Sequence, residues 1–118
     1  EKLSPGGELF GYAFEHFLFQ ELLAHTHYSE KAYTISYWQT TSQLEVDFVL
    51  GDPEVAIEAK AVKEVAPHHL KGLKAFADEY SVKKMIVVSL DKSPRKSGEI
   101  EILPWRYFLD RLWSGEII

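Results

Sequence analysis

Three side chains in the middle of the sequence have the types and spacing to do chemistry together: Asp47, Glu58 and Lys60. Asp47 sits in the run Leu44-Glu45-Val46-Asp47-Phe48-Val49-Leu50, and Glu58 and Lys60 sit in the stretch from Glu54 to Ala61. Between them lies Gly51-Asp52-Pro53, a strong turn signal. If the two runs pair as a hairpin pivoting near Asp52, Asp47 falls across from Glu58 or one residue away. Residues directly opposite in a hairpin point to the same face, with Cβ atoms about 5 Å apart. Two carboxylates that close repel one another unless a cation or a proton stands between them. Lys60 follows Glu58 by two residues, so its side chain leaves the strand on the same face. Oxygen ligands of this kind suit Mg²⁺ or Mn²⁺. A nearby ammonium can orient or polarise a water, or stabilise charge on a phosphate. The same residues also fit a solvated hairpin face on which Lys60 pairs with Glu58. A D…ExK spacing is short and common, and alone it does not choose between the two.

Glu15 bears on that choice. A helix is predicted from about Glu8 to His25, with Ser4 as a candidate cap in Ser4-Pro5-Gly6-Gly7. Its apolar residues, from Leu9 and Phe10 through Leu22 and Leu23, cover nearly the whole circumference, which predicts burial on most sides. On the helical wheel Glu15 neighbours Leu22, Leu18, Phe19, Tyr12 and Glu8. A carboxylate among apolar side chains is costly unless something compensates it, and a metal or Lys60 would do so. The alternative sets Glu15 at a helix edge in water, or against another lysine.

The elements that must position these residues follow from periodicity. Ala32 to Trp38 alternates as a strand, with Tyr33, Ile35 and Tyr37 on one face. In the first arm of the hairpin, alternation puts Leu44, Val46, Phe48 and Leu50 on one face and Glu45, Asp47 and Val49 on the other. In the second arm, Val55, Ile57 and Ala59 oppose Ala56, Glu58 and Lys60. A second helix is expected from His68 to Tyr80, a buried strand over Met85–Leu90, a polar loop over Asp91–Glu99, a short strand over Ile100–Leu103 and a last helix over Trp105–Trp113 opened by Pro104. The strand–helix–strand stretch from Glu54 to Leu90 implies a parallel pair with a right-handed crossover. The sum is one α/β sandwich domain over residues 1–118, with a mixed sheet of about four or five strands.

Composition narrows the classes. The 118 residues contain no cysteine, which excludes disulfides, thiolate metal sites and cysteine catalysis and suits a cytoplasmic protein. No apolar run reaches the ~20 residues of a membrane span. Glu1 stands where a complete chain would carry Met, which reads as a fragment of something longer. The net charge of −5 weighs against tight, stand-alone nucleic-acid binding, although a carboxylate metal site itself adds negative charge. The five histidines lack a zinc spacing. Lys92, Arg95 and Lys96 form a small basic cluster read as a solvated loop, and Trp38, Trp105 and Trp113 are read as packing residues.

Several segments together resemble a known family. They are Gly11-Tyr-Ala-Phe-Glu15-His-Phe-Leu-Phe-Gln-Glu21-Leu22, Tyr37-Trp38-Gln39, Glu45 to Leu50, Ile57-Glu58-Ala59-Lys60, Leu103-Pro104-Trp105 and Leu112 to Ile117. In this order they are similar to uncharacterised domains found C-terminal to an AAA-type ATPase module, regarded as a branch of the PD-(D/E)XK nuclease superfamily. The resemblance implies a restriction-endonuclease-like core and a Mg²⁺- or Mn²⁺-dependent phosphodiesterase acting on nucleic acid, DNA ahead of RNA. By position it makes Glu15 the first-helix acid, Asp47 the hairpin metal ligand and Glu58-Ala59-Lys60 the ExK tripeptide. It also implies an ATPase module upstream, since no GxxxxGK[ST] phosphate loop is present. Two departures stand out. Val46 occupies the place of the proline before Asp47, and His69 to Lys74 lacks the glutamine that related nucleases carry, leaving Lys71 and Lys74 as the candidate DNA contacts. The rival expectation is a non-catalytic domain of the same fold that binds nucleic acid or protein and regulates the ATPase. A third is a homo-oligomerisation unit that pairs through the last helix.

Overall fold

Alternating apolar runs separated by turn residues lay down a sheet, and the helices close over its two faces. The structure, a computed structural model, describes residues 7–118, so the candidate cap Ser4 lies outside the described residues. Six strands form one mixed sheet in the order β1-β2-β3-β4-β6-β5. They are β1 (Ile35–Gln39), β2 (Glu45–Leu50), β3 (Val55–Ala59), β4 (Lys84–Ser89), β5 (Arg95–Ser97) and β6 (Ile100–Pro104). The helices are α1 (Glu8–Tyr28), α2 (Lys71–Glu79), which follows a 3₁₀ turn at Pro67–Leu70, and α3 (Trp105–Trp113). β2 pairs antiparallel with both β1 and β3, while β3, β4 and β6 are mutually parallel. The arrangement is the expected α/β sandwich, consistent with a restriction-endonuclease-like core. Among the described residues no helix is long and apolar enough to cross a membrane.

Two apolar layers hold the sheet. α1 and α3 cover one face through Phe14, Leu18, Leu22, Phe108 and Leu112, packed on Phe48, Leu50, Ile57, Ile86 and Val88. α2 covers the other through Leu73 and Phe76, packed on Val46, Val49, Ala56 and Val87. The β2–β3 turn follows from Gly51, whose φ of 75° is a left-handed conformation that costs glycine little. The Glu54 N–H closes the turn onto the Leu50 carbonyl at 2.7 Å.

Three expectations change. α1 continues to Tyr28 and buries only the stripe Phe14, Leu18, Leu22, His25 and Thr26, while Leu9, Tyr12, Phe17 and Leu23 stay exposed. A long helix on a flat sheet can offer it only one face, so apolar residues around the full circumference cannot all be covered. The polar stretch Asp91–Glu99 contains β5, a three-residue edge strand paired antiparallel with β6. Its Arg and Lys blunt the sheet edge, which is why it reads as a loop. Arg95 is tied down as well: its guanidinium donates to the Val65 carbonyl at 2.7 Å and pairs with buried Asp91 at 3.2 Å.

The third change is at β2. The β1–β2 register runs Ser36 against Val49 and then Trp38 against Val46, so two residues of β2 oppose Tyr37 alone. This β-bulge breaks the alternation. Val46 joins the α2 layer with Val49, while Phe48 faces α1 and Asp47 lines the same cleft as Phe48. The strict two-face assignment of residues 44–50 is therefore corrected at Val46, which leaves the face of Phe48 and Leu50, and at Asp47, which joins Phe48 at the cleft.

The tryptophans of α3 join it to α1. Trp105 packs edge-on against Phe17 at 5.8 Å, and Trp113 against His25 at 5.0 Å, with its indole N–H on Glu21. After α3, the Lys84 ammonium donates to the Glu116 carbonyl at 2.5 Å and the Ile117 carbonyl at 2.9 Å. Charged hydrogen bonds of this kind contribute about 1.5–3 kcal/mol when buried and less when half-open, so Lys84→Ala is expected to lower unfolding free energy by about 1 kcal/mol in urea titrations.

Candidate functional site

The β2–β3 ladder runs from Leu50 and Val55 to Phe48 and Ile57, so Asp47 and Glu58 are the next residue of each strand, beside one another as expected. There the side chains take over from the backbone. The Asp47 N–H donates to Glu58 Oε1 at 3.1 Å, and the Ala59 N–H donates to Asp47 Oδ2 at 2.8 Å. The second oxygen of Glu58 pairs with the Lys60 ammonium at 3.5 Å. Glu58 is almost fully buried, at 3% exposure, and both of its oxygens are engaged. Lys60 is half-buried beyond the end of β3, where its N–H donates to the Val88 carbonyl at 2.9 Å and holds the chain beside β4.

Glu15 reaches the same place from α1. It is half-buried, and its carboxyl meets that of Asp47. The bulge makes this meeting possible by turning Asp47 toward α1. The counter-charge expected for Glu15 is mainly not Lys60, which acts on it only weakly; burial and then Asp47 dominate, and they push its pKa up to about 7. Burial pushes Asp47 up to about 8, with the Glu58 carboxyl adding to the rise and the Ala59 N–H opposing it. Burial also raises Glu58, while Asp47 and Lys60 pull it down. Near neutrality the cluster therefore holds protons that isolated carboxyls would have released.

The structure brings together Glu15, Asp47, Glu58 and Lys60. It leaves Lys71 and Lys74 exposed on α2, which packs on the other face of the sheet from α1. Oxygen donors of three carboxyls match the chemistry of Mg²⁺ or Mn²⁺. Among the described residues no group of three or more His, Asp or Glu side chains is placed to hold a metal together. Asp47 and Glu58 each spend oxygens on the protein instead.

Beside the carboxyls a cleft of about 430 Å³ opens between α1 and the β1–β2 hairpin. Tyr12, His16, Phe19 and Tyr37 line it together with Glu15, Asp47 and Phe48. Tyr12 belongs to a helix expected to be buried on most sides, and Tyr37 to a strand face shared with Tyr33 and Ile35, yet they are 64% and 70% exposed. The signal that could have found them is their position: Tyr12 lies one helical turn before Glu15, and Tyr37 precedes the tryptophan that packs on α2.

Among family models, that of the Domain of unknown function (DUF4143) matches residues 10–108. No curated protein and no solved structure matches the chain. The matched stretch takes in Glu15, the hairpin with Asp47, Glu58 and Lys60, and the first turn of α3. With that span covering most of its length, the chain belongs to the DUF4143 family.

Proposed function

We propose that this domain is a nuclease-fold module that does not cut, and that it binds a macromolecular partner and regulates the AAA-type ATPase that such domains accompany. One observation carries the reading: the acidic residues that would hold a metal are committed to the fold. Glu58 is buried with one oxygen on the Asp47 N–H and the other on Lys60, and Asp47 spends an oxygen on the Ala59 N–H. Buried charges paired in this way are costly to unmake. The net charge of −5 and the lack of a glutamine at the start of α2 support the same reading. The cysteine-free composition supports a cytoplasmic setting for it.

The second reading is metal-dependent hydrolysis of nucleic acid, DNA ahead of RNA, with Mg²⁺ or Mn²⁺ at Asp47, Glu58 and Glu15. It is favoured by the convergence of Glu15, Asp47, Glu58 and Lys60 beside an open cleft.

Cleavage assays separate the two. Single- and double-stranded DNA and RNA are incubated with the chain and Mn²⁺ or Mg²⁺, beside Glu58→Gln and Glu58→Ala. The expected result is product formation no faster than in either variant. Metal-dependent cleavage by the unmutated chain, reduced by several orders of magnitude in folded Glu58→Gln, overturns the non-catalytic reading.

A further inference from the structure

The cleft between α1 and the β1–β2 hairpin combines aromatic rings with two carboxyls. Its floor contains the Phe19 and Phe48 rings, stacked with centroids 6.3 Å apart at an interplanar angle of 14°. Tyr12 and Tyr37 rise on its two sides, one from the helix and one from the strand, both largely exposed to water. Glu15 and Asp47 line it as well. Among the described residues none of the ion pairs involves either of them, because the Lys60 ammonium is taken by Glu58. His16 on the rim has its Nε2 within 3.4 Å of the Gln20 amide.

Aromatic faces attract cations through their ring quadrupoles, best where water is partly excluded. A planar guanidinium can stack on such a ring while its N–H groups donate to two carboxyls at once, which an ammonium cannot do. A phosphate would meet acidic groups here and an overall charge of −5. A volume of about 430 Å³ falls in the ordinary range of ligand pockets and admits a long side chain.

We propose that this cleft docks an arginine side chain presented by a protein partner, stacked between Tyr12 and Tyr37 with its guanidinium on Glu15 and Asp47. The proposal rests on the reading of the domain as a binding module and specifies which chemistry that module recognises. The lining selects the occupant: aromatic rings stand beside two carboxyls that take part in none of the described ion pairs, and a guanidinium bound there would draw off the protons they otherwise hold near neutrality.

The test uses the 118-residue chain and a fluorescein-labelled hexa-arginine peptide, followed by anisotropy at physiological salt without divalent metal. Tyr12→Ala combined with Tyr37→Ala is expected to weaken binding roughly 10-fold, and the two Tyr→Phe replacements are expected to restore it. These changes leave the net charge alone, so general attraction of a basic peptide to an acidic protein persists in all variants. Both side chains are largely exposed, and thermal unfolding of each variant checks that the fold is retained. A hexa-lysine peptide is expected to bind several-fold more weakly than hexa-arginine. Equal binding by the alanine variant, or equal affinity for the two peptides, overturns the proposal. So does a labelled oligothymidylate whose binding is lost with the same two tyrosines, which would assign the cleft to nucleobases. Failure here is distinct from failure of the non-catalytic reading, which is scored on nucleic-acid cleavage with metal.

Discussion

Gly72→Ala is expected to destabilise the domain by at least about 3 kcal/mol, or to prevent folding, because overpacking against backbone has no easy relief. Gly72 is the second residue of α2 and is buried. A Cβ there would stand 2.0 Å from the Glu45 carbonyl oxygen, 3.0 Å from its carbonyl carbon and 3.3 Å from its nitrogen. All three atoms are backbone at the start of β2, two residues before Asp47, so no flexible side chain can swing away. Relief would require α2 to lift from the sheet or β2 to shift, and either would disturb the hairpin that aligns Asp47 with Glu58. The magnitude decides the sign, since glycine to alanine in a helix ordinarily gains up to about 1 kcal/mol. Gly11 supplies the control. It lies within α1, and a Cβ there meets nothing within 4 Å. Gly11→Ala is therefore expected to stabilise by about 0.5–1 kcal/mol. Urea titrations of the two variants should move in opposite directions, and a Gly72→Ala midpoint near that of the unmutated chain would remove the close approach of helix and strand from the account.

The second large effect is on pH. Glu15 and Asp47 stand at about 7 and about 8 in the folded protein, against 4.5 and 3.8 as ordinary values. The folded state then binds protons that the unfolded chain has released, so stability falls as pH rises. The contribution is fully present below the unfolded values and is lost as pH climbs through the folded ones, a window from about pH 4 to about pH 8. Its size is on the order of 3 kcal/mol, well under the full sum of the two shifts, because Glu15 is only half-buried and solvent screens it. Asp47→Asn keeps an oxygen to accept from the Ala59 N–H and removes the titrating group. It is expected to flatten the pH dependence and to exceed the unmutated chain in stability at pH 8. Unfolding free energies at intervals across this window, taken as the difference between the two proteins, isolate the effect from other carboxyls. A difference that stays constant with pH would mean that folding leaves the proton affinity of Asp47 unchanged, and would remove the shared cluster from the account.

Much of this protein was legible from residue order because the relevant forces are local. Periodicity placed α1, the β2–β3 hairpin and its turn at Gly51, the parallel β3–β4 pair and α3 behind Pro104. Pairing across a short hairpin leaves little freedom of register, so Asp47 and Glu58 had to meet and Lys60 had to lie near them. The tertiary structure decided the rest. The bulge at Asp47 and Phe48 depends on how β1 pairs with β2, and alternation within one strand carries no trace of it. That bulge turns Asp47 toward Glu15. α1 is apolar all round, so its sequence could not say which stripe would be buried or that Tyr12 would stand in water at the rim of a cleft. β5 has too few apolar residues to announce itself and exists because β6 offers it a ladder. The residue types gave the site its carboxyls and its lysine, but only the packing determined that the oxygens of Glu58 and one of Asp47 would be spent on backbone amides and on Lys60. Hydrogen-bond satisfaction in a buried place is a property of all the neighbours at once, and no single segment of the chain contains it.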